Sequence, residues 1–141
     1  MAGTSATLLA RWAKADPRPF AWVALDSRDD DAVVFLRYIA VAVHRVEPLP
    51  GDVFDALSGP GGSSWALRVP RVGSALAALE RPLVLALDDL HAVANPSCLD
   101  VLRELLRYVP AGSQIAIASR EEPPLPLARW LHALASTEIG E

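Results

Sequence analysis

Pro82-Leu83-Val84-Leu85-Ala86-Leu87-Asp88-Asp89-Leu90-His91 is the stretch that decides the fold. Apolar residues run from Leu83 to Leu87 without alternation and stop at two adjacent carboxylates, Asp88 and Asp89. An unbroken run of this length fits a strand covered on both faces, as in a parallel sheet flanked by helices. In such sheets ligands bind beyond the carboxyl ends of the strands. Two acids at that position can hold a hard cation and a polarised water next to phosphate groups.

On either side of this run, helical and extended segments alternate. Thr7–Ala15 carries Leu8, Leu9 and Trp12 on one face and predicts a short helix, closed by Pro17 and Pro19. Phe20–Leu25 is aromatic and β-branched and predicts a strand. Asp26–Asp31 is a polar turn with several residues able to cap a helix. Ala32–Val46 predicts a helix with Val33, Leu36, Ile39, Ala40 and Val43 on its buried side. Pro48–Ser64 is punctuated by Gly51, Gly59, Pro60, Gly61 and Gly62, which predicts a short helix near Val53–Leu57 followed by a loop.

Helical character resumes over Val72–Leu79. Asn95 and Ser97 can cap a helix over Cys98–Tyr108, and Pro110 with Gly112 turns the chain into a strand, Gln114–Ala118. A proline-rich turn at Glu121–Pro126, a helix at Leu127–Leu134 and the start of a strand at Thr137–Ile139 complete the reading. Strands alternating with helices define an α/β fold with a mainly parallel sheet.

The bulk properties narrow the function. The chain has 141 residues, enough for one domain with a real core, and its 52% hydrophobic content argues against disorder. A net charge of −4 with dispersed basic residues argues against direct DNA binding, which needs a basic patch. No apolar run reaches the roughly 20 residues of a membrane span. The single cysteine, Cys98, and an N-terminus without a basic-then-apolar leader pattern predict a cytoplasmic location. Cys98 and the tryptophans Trp12 and Trp22 fit core positions, whereas Trp65 lies beside the glycine loop and is a candidate for exposure. His44, His91 and His132 show no metal-ligand spacing, and Ser5 and Ser119 sit in no nucleophile motif.

Several segments carry a family resemblance. They are Thr7-Leu8-Leu9-Ala10-Arg11-Trp12-Ala13, Phe20-Ala21-Trp22-Val23-Ala24-Leu25-Asp26, Asp31–Tyr38, Pro82–His91, and Ile115–Arg120 followed by Glu121–Trp130. In their order and spacing they resemble the nucleotide-binding domain of the MalT-like, LuxR-family transcriptional regulators, a branch of the STAND-type P-loop ATPases. The resemblance covers nearly the whole chain. It implies a three-layer P-loop NTPase-like parallel sheet flanked by helices. Residues 1–141 would form a single partial P-loop ATPase-like domain, truncated at both ends relative to those longer regulators.

Carried over residue by residue, the resemblance makes Pro82–His91 the Walker B strand. Asp88 would coordinate Mg²⁺ through the nucleotide, and Asp89 would take the catalytic role of orienting or activating the attacking water. Thr7 would approach the α-phosphate and Arg120 would read the γ-phosphate. ATP and Mg²⁺ are the implied cofactors. Structural alternatives stand beside each role. The two acids can simply close a strand and open a turn, and Arg120 can form an ion pair with Asp89 or Glu121.

The phosphate loop departs from the family pattern. A working loop reads G-x-x-x-x-G-K-[ST] after a strand, with backbone N–H groups and a lysine around the phosphates. Here Thr4 stands at the glycine, Ser5 at the lysine and Ala6 at the metal-binding hydroxyl. Gly3–Ser5 can equally be a frayed helix cap. The family's first, central strand falls before Met1. Its absence implies unpaired backbone on the neighbouring strands and self-association through an exposed sheet edge. The expected function is therefore a fragment of the ATP-binding switch domain of a LuxR-family regulator with little or no ATP binding, and without ATPase activity. The alternatives are a nucleotide-independent protein-interaction module or a non-functional remnant.

Overall fold

The computed structural model describes residues 6–25, 31–58, 65–88 and 95–118, of which 6–8 and 118 are described by backbone alone. The elements run α1 (Ala6–Ala15), β1 (Phe20–Ala24), α2 (Ala32–Val46), α3 (Gly51–Ser58), α4 (Trp65–Ala77), β2 (Val84–Asp88), α5 (Pro96–Leu106) and β3 (Gln114–Ala118). The three strands form one sheet in the order β1-β2-β3, all parallel. The expected α/β architecture is therefore present, with helices on both faces of a small parallel sheet.

The distribution of helices follows from the connections. Parallel strands joined by crossovers of one hand, stepping in one direction across a sheet, place every crossover helix on the same face. That face carries Ala21 and Val23 of β1, Leu85 and Leu87 of β2, and Ile115 and Ile117 of β3. Against it pack Phe35, Leu36, Ile39 and Val43 of α2, Val72 and Leu76 of α4, and Val101, Leu102 and Leu105 of α5. Among the described residues the opposite face is covered by α1 alone. Leu9 is fully buried there against Val84, Ala86 and Ala116, with Trp12 and Phe20 at the margin. The small side chains at Ala86 and Ala116 let the helix approach closely. Coverage on both faces explains why β2 shows no alternation, its first four residues all being buried.

Capping sets the helix starts. Asp31 Oδ1 accepts the N–H groups of Val33 and Val34 at 2.9 and 3.1 Å, which fixes the start of α2. Asn95 Oδ1 accepts the Ser97 N–H at 2.9 Å, with Pro96 in the first helical position, where its missing N–H costs nothing. The C-terminus of α3 is closed by two arginines. Arg68 donates to the carbonyls of Ala56 and Leu57 at 3.1 and 2.7 Å, and Arg37 to Leu57 at 2.9 Å. Cations at a helix C-terminus meet its negative dipole end and its orphan carbonyls.

Three expectations need correction. The helix read as Val72–Leu79 begins at Trp65 and runs through Pro70. Pro70 removes the bond to the Ala66 carbonyl, yet the helix persists because Val69, Val72 and Leu76 bury one continuous stripe. Trp22 is not a core residue. It lies on β1, with 43% of its surface exposed, because α1 does not reach that far across the sheet. Nor does the strand bearing Asp88 have unpaired backbone. β3 pairs with it directly in the register Val84↔Gln114 to Asp88↔Ala118, so the ladder is filled on both sides of β2. Among the described strands the open edges are the outer sides of β1 and β3.

Other readings hold. Ala32–Val46 and Gln114–Ala118 match their expected bounds, and Cys98 is fully buried. Trp65, a candidate for exposure, is instead half-buried and packs against the main core. The turn before Asp31, the glycine loop at 59–64, Leu127–Leu134 and Thr137–Ile139 lie outside the described residues.

Candidate functional site

The amino ends of the strands are locked by a polar clasp. Trp12 Nε1 donates to Asp16 Oδ2 at 2.9 Å, across one turn of the end of α1. Asp16 in turn accepts from the Arg18 backbone N–H and from its Nε, each at 2.9 Å, and from Nη2 at 2.6 Å. The same guanidinium reaches over β2 to the Gly112 carbonyl at 2.8 Å and to Gln114 Oε1 at 2.7 Å. This fork geometry, bidentate on the carboxylate, is one that only arginine offers. The Arg18 side chain, and then its backbone N–H, hold the Asp16 carboxyl well below the usual carboxylate range. Gly112 supplies the positive φ of 93° that the turn into β3 requires.

The clasp also orients α1. Its C-terminal end sits at the amino ends of the strands, with the Trp12 ring 5.5 Å from that of Phe20 at the start of β1. Leu9, toward the other end, lies on Val84, Ala86 and Ala116. The helix therefore runs antiparallel to the strands, and its first turn, with Ala6 and Thr7, points to their carboxyl ends. No acidic residue occupies that first turn. The N–H groups there and the positive end of the dipole suit an anion.

Asp88 ends the central strand at this same rim. It is half-buried, in register with Ala24 of β1 and Ala118 of β3. Its carbonyl accepts the Leu25 N–H at 3.0 Å, which extends the ladder by one rung. The period of the strand puts Asp88 on the side of Val84 and Ala86, the face that α1 covers. The structure thus brings the first turn of α1, where Thr7 lies, and Asp88 to one edge. Asp89 and Arg120 lie outside the described residues. In the chain Asp89 follows Asp88 directly, and Arg120 comes two positions after Ala118.

Among the described residues the donors at this rim do not make up a site for a magnesium–nucleotide complex. At the position where the expected loop needs a hydroxyl for the metal, α1 begins with Ala6, whose methyl group offers no oxygen. The residue before it is Ser5, which carries no charge for phosphate. Among the described residues no group of three or more His, Cys, Asp or Glu side chains could hold a metal ion. No catalytic step through ATP or Mg²⁺ follows from these residues.

Two arrangements escaped the sequence reading. The Trp12–Asp16–Arg18 clasp had a local signal in the i, i+4 spacing of Trp12 and Asp16 at a helix end. Arg68 had one too, since it falls in the apolar stripe Trp65, Val69, Val72 and Leu76, where a charge must find a partner. His44, left without a role, accepts the Leu49 N–H at Nδ1 over 2.9 Å and shapes the turn after α2.

The fold and rim together define a small three-layer α/β domain, with a helix N-terminus and a strand-ending carboxylate at one edge of a parallel sheet. No family model matches the chain. It is similar to the HTH-type transcriptional regulator MalT of Klebsiella pneumoniae subsp. pneumoniae, at 28% identity over 135 residues. The match takes in 95% of this chain and 15% of that regulator, so the chain spans about a seventh of the length of the curated relative. No helix among the described residues is long and apolar enough to cross a membrane.

Proposed function

We propose that this chain corresponds to part of the ATP-binding switch domain of a MalT-like, LuxR-family transcriptional regulator, and that its own nucleotide chemistry is lost. The observation that carries the reading is the similarity to MalT along 95% of the chain. The parallel sheet with Asp88 at its carboxyl edge and the antiparallel α1 on the same face support it. In this reading Asp88 is the remnant of a metal-binding acid, Asp89 of a catalytic one, and Thr7 and Arg120 of phosphate contacts. Ser5 and Ala6, in place of lysine and a hydroxyl, remove the charge and the metal ligand that the site needs. The module then acts without ATP hydrolysis, through its surfaces.

Isothermal titration of the full chain with Mg-ATP tests this. The expected result is no heat of binding up to millimolar nucleotide. The triple substitution Thr4→Gly, Ser5→Lys and Ala6→Thr then restores measurable binding that Asp88→Ala abolishes. Micromolar binding by the unaltered chain would overturn the loss of nucleotide chemistry. Failure of the restored variant to bind, while its circular dichroism spectrum stays unchanged, would overturn the assignment of the rim.

A further inference from the structure

Among the described residues the outer edge of β1 is unpaired. The Pro19 carbonyl accepts the Val84 N–H at 3.0 Å, and the Leu25 N–H donates to the Asp88 carbonyl at 3.0 Å. In a parallel strand alternate residues address one neighbour, so Ala21 and Val23 also face β2. Phe20, Trp22 and Ala24 then present their N–H and C=O groups outward. No described strand pairs there. The usual protections of an edge are missing, since β1 has no charged residue, no proline within it and no bulge in its register.

A groove runs along this edge between β1 and α2, with a cavity volume of about 270 Å³. Trp22 and Ala24 form one wall, and Arg37, Tyr38, Val41 and Arg45 the other. The α2 residues recur every three or four positions and so share one side of the helix. Trp22 and Tyr38 are 43% and 45% exposed, the kind of rigid aromatic surface that binding sites use. Among the described residues two guanidiniums line the groove and no carboxylate does, although the chain as a whole carries −4. Arg37 is steadied by its bond to the Leu57 carbonyl, while Arg45 is exposed with no ion pair among the described residues.

We infer that this groove docks an extended acidic segment of a partner protein, which adds to the sheet as a strand beside β1. The backbone of Phe20, Trp22 and Ala24 supplies the ladder. Alternate side chains of the incoming segment reach the α2 side, where carboxylates meet Arg37 and Arg45. The remaining side chains lie over Trp22 and are apolar. A second copy of this chain is the poorer occupant, because edge-to-edge pairing of two β1 strands brings four guanidiniums into one seam with no acid among the described lining residues. The inference does not depend on the nucleotide reading, since Asp88 does not line the groove.

Fluorescence anisotropy tests it, using the full chain and a labelled eight-residue peptide alternating glutamate and valine. Saturable binding is expected, with none for the lysine–valine counterpart. Arg45→Glu weakens binding by about tenfold. Ala24→Pro weakens it at least as much, because proline removes an outward N–H and leaves the β1–β2 ladder intact. Ala24→Thr, which keeps the N–H, binds as the unaltered chain does. Circular dichroism confirms that each variant is folded. Equal binding of the lysine peptide would overturn the inference, as would retention of full affinity by both Arg45→Glu and Ala24→Pro. A dimer in sedimentation that Ala24→Pro dissolves would assign the edge to a second copy instead. Single-stranded DNA competing as well as the acidic peptide would show a general anion groove and no strand addition.

Discussion

Gly73 lies in the middle of α4, where a residue without a side chain ordinarily weakens a helix. Replacement by alanine should gain about 1 kcal/mol of helix stability if the site were open. The site is not open. A Cβ built on Gly73 lies 2.5 Å from Cγ and 2.7 Å from Cε2 of Tyr108, and nearer still to Cδ2. Ordinary carbon contacts sit at about 3.5–4.0 Å, so roughly an ångström of overlap must be relieved. The crowded atoms are the root of the ring, which cannot swing clear without leaving its rotamer. That places the overpacking cost near the upper end of the usual range, about 3 kcal/mol. The net expectation for Gly73→Ala is a loss of about 2 kcal/mol, or a fall in Tm of about 6–8 °C for a domain of this size. Urea unfolding followed by circular dichroism measures it. The decisive arm repeats the substitution in a Tyr108→Ala background, where the overlap is gone and alanine should stabilise by about 0.5–1 kcal/mol. A stabilising Gly73→Ala in the unaltered chain, or an equal cost with and without the tyrosine ring, would refute the overlap as the cause.

The remaining predictions concern charges and one proline. Asp16 is held ionised by Arg18, so its folded pKa lies below its unfolded one. Its stabilising effect is complete above about pH 4 and is lost as pH falls below that value. Tm should therefore drop between pH 5 and pH 2, and Asp16→Asn should flatten that drop while lowering Tm at neutral pH. Arg68 is 5% exposed and closes the end of α3, so Arg68→Met should cost about 1–3 kcal/mol, seen as a lower urea midpoint. Pro70 is exposed and interrupts the hydrogen bonding of α4, so Pro70→Ala should raise stability by about 1–3 kcal/mol in the same measurement.

The sheet was legible because burial on both faces leaves a direct trace. Leu83–Leu87 has no polar residue to orient it, and that pattern belongs to a covered parallel strand. The bounds of α2 were legible because Asp31 is a strong cap and Val33–Val43 keep a helical period. The start of α4 was not, since Pro70 and Gly73 are local stop signals and only tertiary contact with α2 and α5 outweighs them. The same limit applies to Trp22. Its neighbours in sequence are core residues, and its exposure depends on how far α1 extends over the sheet. The carboxyl-edge placement of Asp88 followed from strand order alone. The reach of Arg18 to β3 did not, because Arg18 and Gln114 are distant in sequence and meet only once β2 lies between their strands.

The unequal covering of the two sheet faces has a mechanical consequence. Among the described residues four helices pack on one side, and a single ten-residue helix lies on the other, fastened at its Asp16 end by the bonds to Arg18. Release of α1 from the sheet is therefore expected to cost less than opening of the other side, with its end near Asp88 freed before the end held by Arg18. Lifting it would bare Val84, Ala86 and Ala116 to water and leave the larger apolar interior shut. Amide protons of β2 and β3 should accordingly remain protected through excursions that release those of α1.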